Sequence, residues 1–318
     1  MSSFFSRISF KAYIYLMDFG RLPDISKTTF LLPKDHVATA RVLARSERPT
    51  KPSLYLGCPT WVNKDWLGSY YPAGAPDNQL LHWYGQQFNT LEMNTTHYRI
   101  PDLATVHKWK QAVPEGFTFC PKLPQIISHD QLLQNAGEPT QRFCEAILEL
   151  GDKLGMAFLQ LPPFFGPEDF DILRRFLEQF PKEVPLAVEF RHPDWFRPGS
   201  AQDEAFTLLE ELQMATVLTD VAGRRDVLHM RLTAPMAMIR FNGHGLHPTD
   251  YTRLEDWATR LHQWLEQGLH TVYFFMHQQE ILHAPPALAF LMDQLEERTG
   301  ISIQRPKKLP QMIQGQLF

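Results

Sequence analysis

Residues 157–190 read AFLQLPPFFGPEDFDILRRFLEQFPKEVPLAVEF. Two short apolar runs, AFLQ at 157–160 and LAVEF at 186–190, flank a helix-like segment at 168–180. Pro167 stands at the start of that segment, where a missing N–H costs little. The reading is strand, helix, strand, the repeating unit of a parallel sheet covered by helices. Both apolar runs finish on or beside a polar residue, Gln160 and Glu189.

The same unit recurs in both directions. Candidate strands are LYLG (54–57), TLEM (90–93), FTFC (117–120), AFLQ, LAVEF, TVLT (216–219), MIRF (238–241) and TVYFF (271–275). Helix-like stretches lie at 78–88, 102–112, 139–150, 168–180, 202–213, 252–267 and 285–299. Pro139 and Pro285 also sit near helix starts, and Gly151 and Gly268 lie just past helix ends, the usual place for a left-handed cap. Eight units predict an α/β fold, a TIM-type (β/α)8 barrel. One unit is irregular, because residues 221–237 offer no convincing helix. Residues 1–53 read as an N-terminal arm, rich over 17–53 in Pro, Arg, Lys and Thr and without sustained periodicity. Met17 is the expected start, with 1–16 an upstream extension. The barrel is expected over 54–300 and an extended C-terminal tail over 301–318.

Composition agrees. The chain has 318 residues, 44% hydrophobic and 21% charged, which is the range of a globular protein with a sizeable core. A net charge of −4 provides no global basic field, so tight nonspecific binding to nucleic acid is not expected, although a local basic groove stays open. The three cysteines, Cys58, Cys120 and Cys144, form no C-x-x-C pair and point to a reducing compartment. No apolar run approaches the roughly 18 residues that span a bilayer. Arg7 and Lys11 interrupt any signal-peptide core. No membrane association and a cytoplasmic location are expected.

Strand side chains alternate between faces. Glu92 shares a face with Asn94, Glu189 and Arg191 share one with Ala187, and Arg240 and Asn242 share one with Met238. Strand four ends at Gln160, strand six runs into Asp220, strand eight runs into His277, and Lys122 lies just beyond strand three. Barrel enzymes build their sites at this C-terminal end of the strands. A charged mouth over an apolar barrel is therefore expected, although any one of these residues alone reads equally as a solvated cap or half of a salt bridge.

Seven motifs occur in order: GCPTWVNKDWLGSYYP (57–72), FNTLEMNTTHYRIP (88–101), FTFCPKLPQIISHD (117–130), LQLPPFF (159–165), LAVEFRHPDWF (186–196), LTDVAG (218–223) and IRFNGHG (239–245). In these the chain resembles the domain-of-unknown-function 72, or YecE-like, family over about residues 54–300. The resemblance implies a TIM-type barrel related in shape to the endonuclease IV and xylose isomerase group, and no established reaction. Carried over by motif, the family's polar positions fall on Glu92, Asn94, Tyr98, Lys122, His129, Gln160, Glu189, Arg191, His192, Trp195, Asp220, Arg240 and Asn242. Two places depart from the pattern: FFMHQQE follows strand eight where many members carry an Asn pair, and His97 stands where an aromatic is common.

Several chemistries fit these residues. Glu92, Glu189 and Asp220 are the candidate catalytic groups, as acid/base pairs or as metal ligands. Alternatively, Glu189 is neutralised by Arg191 or Lys122. Lys122, Arg191 and Arg240 could clamp phosphate or carboxylate, with Asn94, Tyr98, His129, Gln160, His192, Trp195 and Asn242 as further substrate contacts. A divalent metal held by Glu92, Glu189, Asp220, His129 and His277 would activate water for phosphodiester cleavage, although cations at the rim oppose a dense metal site. The only short histidine spacing is His244-x-x-His247. Trp61, Trp66, Tyr70, Tyr71, Trp195 and Phe196 could stack on a ligand or simply pack as a lid. At the C-terminus Gln314, Leu317 and Phe318 resemble a bacterial sliding-clamp ligand, which would dock in a partner's hydrophobic groove. Three readings follow. The first is a hydrolase-like enzyme on a phosphorylated small molecule or nucleic acid, extending to a DNA-repair phosphodiesterase. The second is a metal-free sugar-processing enzyme, and the third a non-catalytic adaptor recruited by its tail.

Overall fold

The computed structural model describes residues 20–47, 49–197 and 199–310. Its eight strands are β1 (Ser53–Cys58), β2 (Thr90–Met93), β3 (Thr118–Pro121), β4 (Ala157–Gln160), β5 (Leu186–Glu189), β6 (Ala215–Asp220), β7 (Met236–Asn242) and β8 (Thr271–His277). The helices are α1 (Val37–Arg45), α2 (Leu80–Gln87), α3 (Leu103–Ala112), α4 (Gly137–Leu148), α5 (Phe170–Gln179), α6 (Ser200–Glu211), α7 (Pro248–Gln267) and α8 (Ala284–Thr299). The strands are all parallel, in the order β3-β2-β1-β8-β7-β6-β5-β4. Between β3 and β4 the ladder thins to two bridges, Phe119 with Leu154 and Lys122 with Phe158. There the Gly155 and Leu123 amides donate to Phe119 and Phe158 carbonyls at 2.8 and 2.9 Å, and the ring is all but closed. The expected (β/α)8 barrel is the fold.

Period two sorts each strand. One buried cluster gathers Cys120, Met156, Phe158, Ala187, Ala215, Val217, Met238, Tyr273 and Phe275 from β3 to β8 and the approach to β4. These side chains plug the barrel's interior. Two residues further along the same faces come Lys122, Gln160, Glu189, Thr219, Arg240 and His277, so a polar layer lies on the apolar plug. The other faces join the helices in a larger core that includes Trp257, Trp264, Phe143 and Leu173. Gly57 is where β1 and β2 come closest: a Cβ there would lie 2.1 Å from the Thr90 carbonyl oxygen.

The β6–β7 connection holds only a 3-10 turn, Arg225–Val227, and no α-helix among its described residues. The arm fills that side of the barrel. It carries α1, which the sequence reading did not expect because only Ala38, Thr39, Val42 and Leu43 of its nine residues are buried, too short a run to display a helical period. Thr39 Oγ donates to the Met230 carbonyl (2.8 Å) and accepts from the Leu232 amide (3.0 Å). Arg41 pairs with Glu210 of α6 (2.6 Å), and the Trp264 indole of α7 donates to Asp35 (3.0 Å). α1 thus stands between α6 and α7, in the position of the missing helix. Among the described residues, no helix is long and apolar enough to cross a membrane.

Candidate functional site

The polar layer floors a cavity of about 560 Å³ at the C-terminal ends of the strands. At its centre Arg240 joins two carboxylates from opposite sides of the barrel. Its Nε and Nη2 donate to the two oxygens of Glu92 (3.0 and 2.9 Å), and its Nη1 donates to Glu189 Oε2 (2.9 Å). A bidentate fork of this kind is the strongest pairing available to a carboxylate. Asn94 Nδ2 and His277 Nε2 add bonds to Glu92 at 2.8 and 2.9 Å. Glu189 also accepts from Arg191 Nε (2.8 Å), Thr219 Oγ (3.1 Å) and Gln160 Nε2 (2.8 Å). Burial pushes both carboxyls up, but the cations around them prevail. Arg240 and His277 hold Glu92 well below the usual range, and Arg191 and Arg240 hold Glu189 at about 2. Both are ionised, fully engaged, and buried beneath the cavity floor.

Lys122 stands apart. Its Nζ donates to Gln160 Oε1 at 2.8 Å. Because Gln160 turns its amide nitrogen to Glu189, its oxygen is the end that faces the amine. Among the described residues no carboxylate lies within ion-pairing distance of Nζ. Burial, reinforced by the charges of Arg240 and Arg191, brings the amine down to about 7.

Two histidines line the wall beyond it. His97 Nδ1 faces the Leu123 carbonyl at 2.9 Å. A carbonyl only accepts, so Nδ1 carries the proton. His129 sits on a single π-helical turn, Ile126–Asp130. Its Nδ1 lies 2.8 Å from Ser128 Oγ, which also reaches the Pro124 carbonyl at 3.2 Å. Burial drives His97 down to about 4, and burial and His97 drive His129 down to about 3. Both rings are neutral, and His97 keeps Nε2 as an acceptor.

The remaining sequence candidates divide. Tyr98, 79% exposed, and Asn242 line the cavity. Asp220 does not: Thr219 turns inward to Glu189, so its neighbour turns outward. There Asp220 holds Arg253 (2.7 Å), the Trp257 indole (2.7 Å) and Arg225. Burial raises its pKa, but Arg253 and Arg225 outweigh that and lower it. Trp195 is buried, its indole bonded to the Phe165 carbonyl (2.8 Å). His192 caps a 3-10 turn by accepting from the Asp194 amide (3.2 Å). Trp66, Tyr70 and Tyr71 pack among Tyr84 and Phe88 in the core. Glu92, Glu189, Asp220, His129 and His277 do not converge: among the described residues no three His, Cys, Asp or Glu side chains are placed to share a metal ion. Lys122 does not neutralise Glu189, because Gln160 stands between them; Arg191 and Arg240 do. Gln314, Leu317 and Phe318 lie outside the described residues. Gly20, Arg21 and Leu22 of the arm, with Gln125, Thr219, His244 and Gln279, also line the cavity. Of these only His244 had a sequence signal, the His244-x-x-His247 spacing; the others carried none.

Comparison with known proteins agrees with this architecture. The chain is 29% identical over 262 residues to the UPF0759 protein YecE of Escherichia coli K12, covering 77% of this chain and 93% of that one. It is 28% identical over 153 residues to the UPF0759 protein YunF of Bacillus subtilis, covering 46% and 53%. A crystal structure of a DUF72 family protein from Enterococcus faecalis V583 superposes with a TM-score of 0.61 at 21% identity, over 79% of this chain and 99% of that one, and so shares the fold. The family described as "Protein of unknown function DUF72" matches residues 55–313, and this chain, a barrel with its polar layer at the strand ends, belongs to it.

Proposed function

We propose that the barrel mouth binds, as substrate, a small organic anion carrying phosphate or carboxylate together with hydroxyl groups. One observation carries this reading. Three arginines, Arg21, Arg191 and Arg240, line the cavity together with the Lys122 amine, and none of its described lining residues is Asp or Glu. The two carboxylates of the site lie behind the floor, already bonded. Arg240 has five N–H groups and uses three on Glu92 and Glu189, which leaves two. His97 and His129, both neutral and the former with Nε2 as an acceptor, suit the hydroxyls of the same ligand.

The volume matches one small molecule or a single flipped nucleotide and excludes a duplex. This supports the phosphorylated-small-molecule reading over a nucleic-acid backbone. Glu92 and Glu189 share one guanidinium, which leaves neither as the raised-pKa acid that glycoside hydrolysis needs.

The test is calorimetric titration and thermal shift with inorganic phosphate, phosphorylated sugars, 2-oxo acids and the matching neutral sugars. Anions should bind and neutral sugars of equal size should not. Arg191→Gln should weaken binding by roughly 10- to 100-fold, the worth of one charge-assisted hydrogen bond. Equal binding of neutral sugars, or unchanged anion affinity in Arg191→Gln, would refute the reading.

A further inference from the structure

We infer that Lys122 is a nucleophile that forms an imine with an anionic aldehyde or ketone bound at the barrel mouth. The inference rests on the anion-binding reading above and names the substrate's reactive group.

The geometry is that of an amine held ready. Lys122 is fixed at the end of β3 by its own backbone, whose N–H donates to the Met93 carbonyl at 3.1 Å. Its side chain is buried, Lys122 is among the residues that line the cavity, and among the described residues Nζ has a single amide oxygen as its hydrogen-bond partner. In the neutral form one N–H stays on Gln160 and the lone pair is available. Other buried cations are more fully satisfied: Lys153 Nζ donates to the Lys110 and Val113 carbonyls at 2.9 and 2.7 Å, and Arg240 and Arg253 pair with carboxylates, whereas Lys122 Nζ has one amide oxygen. The two nearest carboxylates are instead bound to arginines. The charged groups that face the amine are Arg240 from β7, Glu189 from β5, Arg191 just beyond it and Glu92 from β2; burial, with the two arginines outweighing the two carboxylates, keeps a large share of the amine neutral near pH 7. Neighbouring cations and burial are the recognised means of making a lysine nucleophilic.

The chain of bonds also positions a substrate. Lys122 to Gln160 to Glu189 to Arg191 and Arg240 runs through contacts of 2.8–2.9 Å. The guanidinium groups lie two polar groups from the amine along this chain and line the same cavity, so in this inference the anionic end of the carbonyl compound sits on them and its carbonyl carbon at Nζ. The Nζ lone pair adds to that carbon, and one Nζ proton passes to the carbonyl oxygen to give a carbinolamine. The C–O bond then breaks, the hydroxyl leaves with a second proton as water, and the C=N bond forms. Amine and carbonyl become imine and water, with no oxidant or reductant. The imine, once protonated, withdraws electrons from the adjacent carbon, which is the chemistry needed to make or break a bond there or to exchange its proton.

The experiment incubates the full chain with sodium pyruvate, or with dihydroxyacetone phosphate, adds sodium borohydride, and maps the product by peptide mass spectrometry. The expected result is one reduced adduct per chain, on Lys122, absent from Lys122→Arg. A probe that binds by calorimetry yet leaves no adduct, or that labels surface lysines such as Lys108 equally, overturns the inference. If neither probe binds, the anion reading fails, and a ligand-free measurement decides the lysine. In competitive labelling with trace acetic anhydride at about pH 7, Lys122 should react at least roughly tenfold faster than Lys108: about half of its amine is neutral against less than a thousandth for an ordinary lysine, a gap of roughly several hundredfold that its burial and the lower nucleophilicity of a less basic amine reduce. An equal or slower rate overturns the inference by itself.

Discussion

Replacing Lys122 with Met should stabilise the protein in mild acid and lose that advantage in mild alkali. The amine's pKa is about 7 when folded, against an ordinary 10.5. Folding with the proton in place therefore costs about 5 kcal/mol. Met fills similar volume and removes that cost, but it leaves Gln160 Oε1 buried without its donor, a loss of about 1–3 kcal/mol. Near pH 6 both folded and unfolded chains hold the proton, and the variant should be about 2–4 kcal/mol more stable. Between pH 7 and 10.5 the unfolded chain keeps a proton that the folded chain has released. Wild-type stability then rises with pH, by up to about 1.4 kcal/mol per unit. By about pH 9 some 2–3 kcal/mol of the cost has gone, and the two proteins should be nearly equal. Paired urea denaturations across this range, compared at common slope, give the difference directly. A gap that stays constant with pH, or a Met variant that is the less stable one in acid, would refute the charge accounting at this site.

Arg240→Met should destabilise by about 3–5 kcal/mol, since it strands two buried carboxylates, and adding Glu189→Gln should recover part of the loss; urea midpoints of the single and double variants test this. Asp220→Asn should lose about 2–4 kcal/mol through its contacts with Arg253, Arg225 and the Trp257 indole. Its anion affinity per folded molecule, read by calorimetry, should not change, because Asp220 faces α7 and not the cavity. Gly57→Ala should lose about 3 kcal/mol or more, because its Cβ would force β1 and β2 apart; thermal unfolding reads it.

The barrel was legible because its repeating unit is local. A short apolar run, a Pro-led amphipathic helix and a Gly stop can each be read within about fifteen residues, and the strands fall within two residues of their expected bounds. The irregular sixth unit was equally visible, since residues 221–237 lack a helical pattern. What replaces the missing helix was not. The contacts that hold α1 are Thr39 with Met230 and Leu232, Arg41 with Glu210, and Asp35 with Trp264. All of them cross most of the chain, and no window of sequence contains them.

The site was legible as a set of polar strand ends and not as a circuit, and the reason is parity. In a parallel barrel both faces of a strand are buried, so apolar character does not tell inside from outside. In ATVLTD, Thr219 and Asp220 are equal candidates until Val217 is found in the barrel's plug, which sends Thr219 inward and Asp220 to α7. Nor does position along the chain say which opposite charges meet. Glu92 and Glu189 stand on β2 and β5, yet one side chain from β7 reaches both. Once Arg240 and Arg191 are spent on the two glutamates, the described cations of the polar layer leave one without a carboxylate. That cation is Lys122, which has only an amide oxygen for company. On the imine proposal Lys122 gives up its proton to act as an amine, and on the anion proposal it stands beside the arginines that would hold the ligand. Both roles therefore meet at the described side chain of the polar layer whose charge has no carboxylate partner.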